Sequence, residues 1–139
     1  MNRDKRFGWI AHADGKLMCE IAERILANTE VEVVKKPLCG MIMMRFRDTA
    51  KNCVFNLGEV LVSEAEVRIK NSMGYAMMMG MEPETTLAGA ILDAAVEAEH
   101  PLAHEIIDLL NNEERRLLEE KQVKWAQVAS TRVDFEVMK

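Results

Sequence analysis

Residues 60–70 read VLVSEAEVRIK, from Val60 to Lys70. Leu61, Ser63, Ala65, Val67 and Ile69 occupy every second position, and Glu64, Glu66, Arg68 and Lys70 alternate with them. A period of two puts these sets on opposite faces of an extended strand, one against a core and one toward water. Gly58, just before the run, marks a bend or bulge. After it, Asn71-Ser72 suits a turn, and Gly74–Gly80 (GYAMMMG) suits a further strand. Upstream, Val31–Lys35, Met41–Arg47 and Asn52–Leu57 are additional strand candidates, the first broken by Pro37. Successive strands with short connections predict an antiparallel meander.

Helices are expected on both sides of these strands. Residues 3–13, with Phe7, Trp9 and Ile10, suit a short helix that Asp14-Gly15 ends. From Lys16 to Asn28, Leu17, Met18, Ile21, Ala22, Ile25 and Leu26 recur at three- and four-residue steps, the stripe of an amphipathic helix. Glu82-Pro83-Glu84 opens another helix, since proline is tolerated in a first turn and acids there favour the dipole. Its small residues around Leu87, Ile91, Ala94, Ala95 and Ala98 permit close approach, and Gly89 is expected at a tight contact. Pro101 ends it. A short helix around Ala103–Leu110 follows. Asn112 then caps a last helix running to about Ser130, with Leu117, Leu118, Trp125, Val128 and Ala129 as its buried positions. Residues 131–139 (TRVDFEVMK) alternate again and are expected to be extended. The fold class is α+β, a mostly antiparallel sheet covered by N-terminal and C-terminal helices. The 139 residues are read as one domain, 1–139.

Composition narrows the function. The net charge of −5 and the scattered cations lack the basic stripe that nucleic acid requires, so no nucleic-acid partner is expected. No apolar run reaches membrane-spanning length, so no membrane partner is expected either. The first fifteen residues contain no apolar segment of the signal-peptide kind, and a cytoplasmic location is expected. Cys19, Cys39 and Cys53 form no CxxC pair and are read as reduced thiols. The eleven methionines are read as core fillers in a chain with few aromatics.

Several constellations carry possible chemistry. His100 and His104 stand four apart, but Pro101 interrupts the helix between them and no third ligand is evident, so capping or solvated histidines are expected. Glu64 and Glu66 share a strand face, about 7 Å apart; the spacing is open to acid–base work, but an exposed face balanced by Arg68 and Lys70 is expected, with a face covered by another protein as a third reading. Glu59 lies beside them. Arg45, Arg47 and Lys51 form a small basic cluster. No GxxxxGK[ST] or GxGxxG loop is present, and Ser63 and Ser72 lack a nucleophile-elbow context. Arg132, Asp134 and Phe135 combine a cation, an acid and an aromatic near the chain end, in a tail that either packs on the sheet or docks on a partner. No self-contained catalytic set emerges.

The segment NLGEVLVSEAEVRI (residues 56–69), followed by MGYAMMMG (73–80) and later STRVDFEVM (130–138), resembles the signature of the PhnG family. The early Trp9-Ile10-Ala11 helix and the LDAAVEA helix match the order of parts, and the resemblance covers nearly the whole chain. It departs from the family pattern at Ala76, where Gly-Tyr-Gly is common, at Met81, and in the run Met77–Met79. The resemblance implies a subunit of the carbon–phosphorus lyase core complex, with partner subunits H, I and J and direct contact with I. It implies support for converting ATP and methylphosphonate to α-D-ribose 1-methylphosphonate 5-triphosphate and adenine. No cofactor is expected on this chain, ATP being a substrate of the complex. Glu59, Glu64, Glu66, Arg68, Tyr75, Arg132, Asp134 and Phe135 are then candidates for supporting or partner-facing residues, none of them catalytic. The competing readings are a scaffold without catalytic contribution, a free-standing anion-binding domain, and a stand-alone enzyme.

Overall fold

The computed structural model describes residues 2–48, 50 and 53–137, and the side chains of these except 44, 46–48, 55–57 and 129–137. Helices α1 (Arg3–His12) and α2 (Gly15–Asn28) precede strands β1 (Glu32–Asp48), β2 (Cys53–Ile69) and β3 (Ser72–Met79). Helices α3 (Pro83–Glu97) and α4 (Ala103–Val137) follow. The sheet is an antiparallel meander in the order β1-β2-β3.

Local chemistry sets the helix boundaries. The Asn2 side chain accepts from Lys5 N–H, and Asp14 accepts from Lys16 and Leu17 N–H, so each caps a helix N-terminus. Pro83 sits at the start of α3, where a missing N–H costs nothing. The core lies between α3 and one sheet face. Ala65, Val67 and Ile69 of β2, with Ala76 and Met78 of β3, meet Ala90, Ile91, Ala94 and Ala95 of α3. Ile10 of α1 and Met18, Ala22 and Ile25 of α2 pack around that helix. Thus α3 is buried over most of its circumference, well beyond the stripe its spacing predicts. The Ala76 methyl is accommodated because Gly89 faces it: a Cβ on Gly89 would lie 3.1 Å from the Ala76 Cβ.

The structure corrects the segmentation. Residues 32–35 and Met41–Arg47 belong to one strand, β1, and residues 53–57 join the alternating segment in β2, leaving three strands among the described residues; Asn52 lies outside them. Pro37 sits in a register shift between the Lys35↔Glu66 and Leu38↔Glu64 pairs, where an edge strand tolerates a lost donor. Gly58, at φ +140°, lies at a second shift, with pairing passing from Met44↔Gly58 to Arg45↔Asn56. Both residues bend strands without ending them.

The C-terminal half also differs from expectation. The predicted short helix, the Asn112 cap and the extended tail give way to one continuous α4 that runs to Val137. Asn112 instead accepts from the Arg115 side chain within the helix. Ile106, Leu110 and Glu113 are buried, but Leu118, Trp125 and Val128, expected in the core, are exposed. Leu117 is half-buried, and the side chain of Ala129 lies outside the described residues. Met18 and Met78 do fill core, whereas Met41, Met43, Met79 and Met81 are exposed, so methionine serves both core and surface here. Leu61 keeps the core-facing parity of β2 but is 38% exposed, because the helical cover ends near Ser63.

Ser63 is fully buried, and its role is structural. Its hydroxyl donates to Gly80 C=O at 2.7 Å and accepts from Glu82 N–H at 2.9 Å, fastening the β3–α3 connection. Ser63→Ala strips both partners and is expected to destabilise the chain by about 1–3 kcal/mol. Urea denaturation measures it; an unchanged midpoint would remove the proposed fastening role.

Candidate functional site

The sheet face opposite α3 gathers four of the sequence candidates. On β2, Glu64, Glu66 and Arg68 point there, and β3 adds Tyr75, paired directly with Glu66 across the ladder. The Tyr75 hydroxyl donates to Glu64 Oε2 at 2.8 Å, while the Lys35 ammonium of β1 holds Glu64 Oε1. Glu64 is therefore balanced by Lys35 and Tyr75, not by Arg68 and Lys70 as its spacing suggests. Arg68 pairs with Glu32 of β1 at 3.5 Å, and Lys70 stands in the β2–β3 turn at φ 55°. Glu59 lies apart, exposed and opposite Met43 near the far end of the hairpin. The side chains of Arg132, Asp134 and Phe135 lie outside the described residues. So do Lys51 and the Arg47 side chain of the basic cluster.

The electrostatics keep Glu64 ionised and Tyr75 protonated at neutral pH. The bound Lys35 and Tyr75 groups hold the Glu64 carboxyl below its ordinary value, so it remains a carboxylate. Burial, then the hydrogen bond to Glu64, pushes the Tyr75 phenol up to about 12, so it remains a donor. The arrangement is a fixed polar clamp across three strands. Because the folded Glu64 is depressed, the stability it contributes is present above the ordinary carboxylate value. That stability is lost as pH falls through the folded value. Tyr75→Phe is expected to cost about 1 kcal/mol and to move the Glu64 titration, followed by carboxyl NMR, upward toward its ordinary position. An unmoved titration would mean that the hydroxyl does not hold Glu64.

Sequence reading missed the strongest polar cluster. Asp93 of α3 is completely buried and accepts from Arg6 Nε at 2.7 Å and Arg3 Nη2 at 3.1 Å. Glu97, one turn on, also binds Arg6. This cluster closes the outer edge of β3: Tyr75 N–H donates to Asp93 Oδ2 at 3.0 Å, and Arg3 donates to Met73 C=O at 2.8 Å. The Arg3 guanidinium lies 5.2 Å from the Phe7 ring centroid, and Phe7 meets Tyr75 edge-on at 6.2 Å. An acid inside an alanine-rich helix was the available signal; its partners lie too far along the chain to be read from spacing.

A cleft of ≈ 860 Å³ opens where α2 ends, lined by Arg24, Thr29, Glu32, Arg68, Lys70 and His100 among others. Arg24 binds Glu105 at 2.9 Å and Arg68 binds Glu32, so two of its cations are already engaged. His100 acts as a cap. Its Nδ1 accepts from Leu102 N–H at 3.1 Å, which leaves the Nε2 proton to donate to Thr29 Oγ1 at 2.8 Å. His104 is exposed. Among the described residues, no group of three His, Cys, Asp or Glu side chains can hold a metal ion. No described helix is long and apolar enough to cross a membrane.

The family model for phosphonate metabolism protein PhnG matches residues 1–139. The chain belongs to the PhnG family. A PhnG relative from Rhizobium meliloti (strain 1021) is 34% identical over 119 residues, covering 78% of this chain and 70% of the relative. That relative is named as the PhnG subunit of alpha-D-ribose 1-methylphosphonate 5-triphosphate synthase. Residues 56–69 lie on β2 and 73–79 on β3, the strands that carry the Glu64–Tyr75 clamp and the wall against α3, while 130–137 lie at the end of α4.

Proposed function

We propose that this PhnG chain is a subunit of a synthase that forms α-D-ribose 1-methylphosphonate 5-triphosphate and adenine from ATP and methylphosphonate. It works there by shaping its partners and performs no chemistry alone. The observation that carries the reading is a body that leaves two long apolar elements uncovered. On the β1–β2 hairpin, Leu38, Met41, Ile42 and Met43 are exposed, and so is Val54, which pairs with Arg47 nearer the hairpin turn. A two-stranded ribbon is at best marginal in water without something packed on it. On α4, Leu118, Trp125 and Val128 share one helical face, and Trp125 is 73% exposed. From Leu118 to Val128 the helix extends about 15 Å. Apolar surface on this scale marks a protein–protein contact.

The family supplies the remaining support. The H, I and J subunits are the proposed partners, with I in direct contact, and the chain takes up no cofactor of its own. The deciding measurement is adenine release from ATP plus methylphosphonate by the co-expressed partner subunits, with and without this chain. Release that depends on the chain is the expected result. Equal release without it would reduce the chain to an accessory protein.

A further inference from the structure

The two edges of the sheet are finished differently. At its start the β3 edge is capped, Arg3 donating to Met73 C=O and Asp93 accepting from Tyr75 N–H. Among the described residues, no element pairs with the outer edge of β1. Between the register shifts at Pro37 and after Met44, seven β1 residues run in unbroken ladder from Leu38↔Glu64 to Met44↔Gly58. Their sequence, LCGMIMM, contains neither charge nor proline. An uncharged, regular edge of this length is a template for strand addition, which proteins ordinarily blunt with lysine, proline or bulges. Those devices are present at both ends of the run, as Lys35, Lys36 and Pro37 before it and Arg45 and Arg47 after it, and absent within it.

Resting on the subunit reading above, we propose that the outer edge of Leu38–Met44 receives a strand from another polypeptide, apolar in its middle and acidic at both ends. The flanking charges select against a second copy of this chain. A two-fold antiparallel pairing that overlaps the whole run centres on Met41. It sets the Lys35-Lys36-Pro37 flank of one copy against the Arg45-Phe46-Arg47 flank of the other. Like charges placed opposite each other across a ladder are unfavourable. An acid at each end of an incoming strand meets a cation at each end of this one. Main-chain hydrogen bonds then supply affinity, and the flanks fix register and direction.

The test is amide hydrogen exchange of the full chain, alone and in the complex purified from cells co-expressing it with the H, I and J subunits. The outward-facing amides of residues 38–44 are expected to slow about 100-fold in the complex. The double variant Lys36→Glu/Arg45→Glu is expected to lose at least about 10-fold of that protection at low salt, and less of it at high salt. Its circular dichroism and thermal midpoint as an isolated chain report that its fold is kept. Unchanged exchange in a complex that still contains the chain overturns the strand addition while leaving the subunit reading intact. Protection that appears in the isolated chain and grows with its concentration assigns the edge to a second copy and equally overturns it. Protection indifferent to the charge reversal removes the acidic flanks. A chain absent from the purified complex defeats the subunit reading and this inference together.

Discussion

Asp93→Ala is expected to destabilise the chain by about 3–5 kcal/mol, because it leaves the buried Arg6 guanidinium without its main counter-charge. Arg6 is 3% exposed and Asp93 0%, so both charges sit out of reach of bulk solvent. The same substitution frees Tyr75 N–H at the edge of β3 and removes one anchor of Arg3. For a domain whose whole stability is of order 5–15 kcal/mol, this is a large fraction. It corresponds to roughly 10–20 °C in thermal midpoint for a chain of this size. The comparison that isolates the cause is Arg6→Met/Asp93→Ala. Removing both charges takes away the uncompensated cation, so the double variant is expected to be more stable than Asp93→Ala alone. A single-variant loss below about 1 kcal/mol would mean that water or Glu97 replaces Asp93.

Gly74→Ala is the second large effect. A Cβ at position 74 would lie 2.2 Å from the Ala90 carbonyl oxygen, 2.4 Å from Ala94 N and 2.5 Å from Ala94 Cβ. Two of those atoms are helix backbone, so the whole of α3 must lift from the sheet. A cost of about 3 kcal/mol is expected, the upper part of the usual overpacking range. Gly89→Ala is the control. There the nearest atoms are Ile10 Cγ2 at 2.7 Å and Met78 Cε at 3.1 Å, ends of movable side chains, with the Ala76 Cβ at 3.1 Å. Alanine also gains about 1 kcal/mol of helix propensity over glycine. Gly89→Ala is therefore expected to cost clearly less than Gly74→Ala in the same urea titration. Equal costs would contradict the rigid helix–sheet contact.

How much was legible follows from the range over which each signal acts. The Val60–Lys70 alternation identified β2, its buried face and the Glu64–Glu66–Arg68 face, since strand parity depends only on neighbouring residues. Asp14-Gly15 likewise placed the break between α1 and α2, and Pro83 the start of α3, because turn and proline geometry are local. Pro37 misled, since a residue that ends an isolated strand merely bulges one that a neighbour keeps in register, whereas Gly58 marks the bulge expected of it. The pairing of Glu64 with Lys35, and of Asp93 with Arg6 some 87 positions away, had no local trace. The Leu118–Trp125–Val128 stripe was read correctly as one apolar face and wrongly as buried. Local pattern establishes which faces repel water and where elements begin. Which element covers which face depends on long-range packing, and among the described residues that packing leaves Leu38, Met41–Met43 and Val54 of the β1–β2 hairpin and Leu118, Trp125 and Val128 of α4 uncovered.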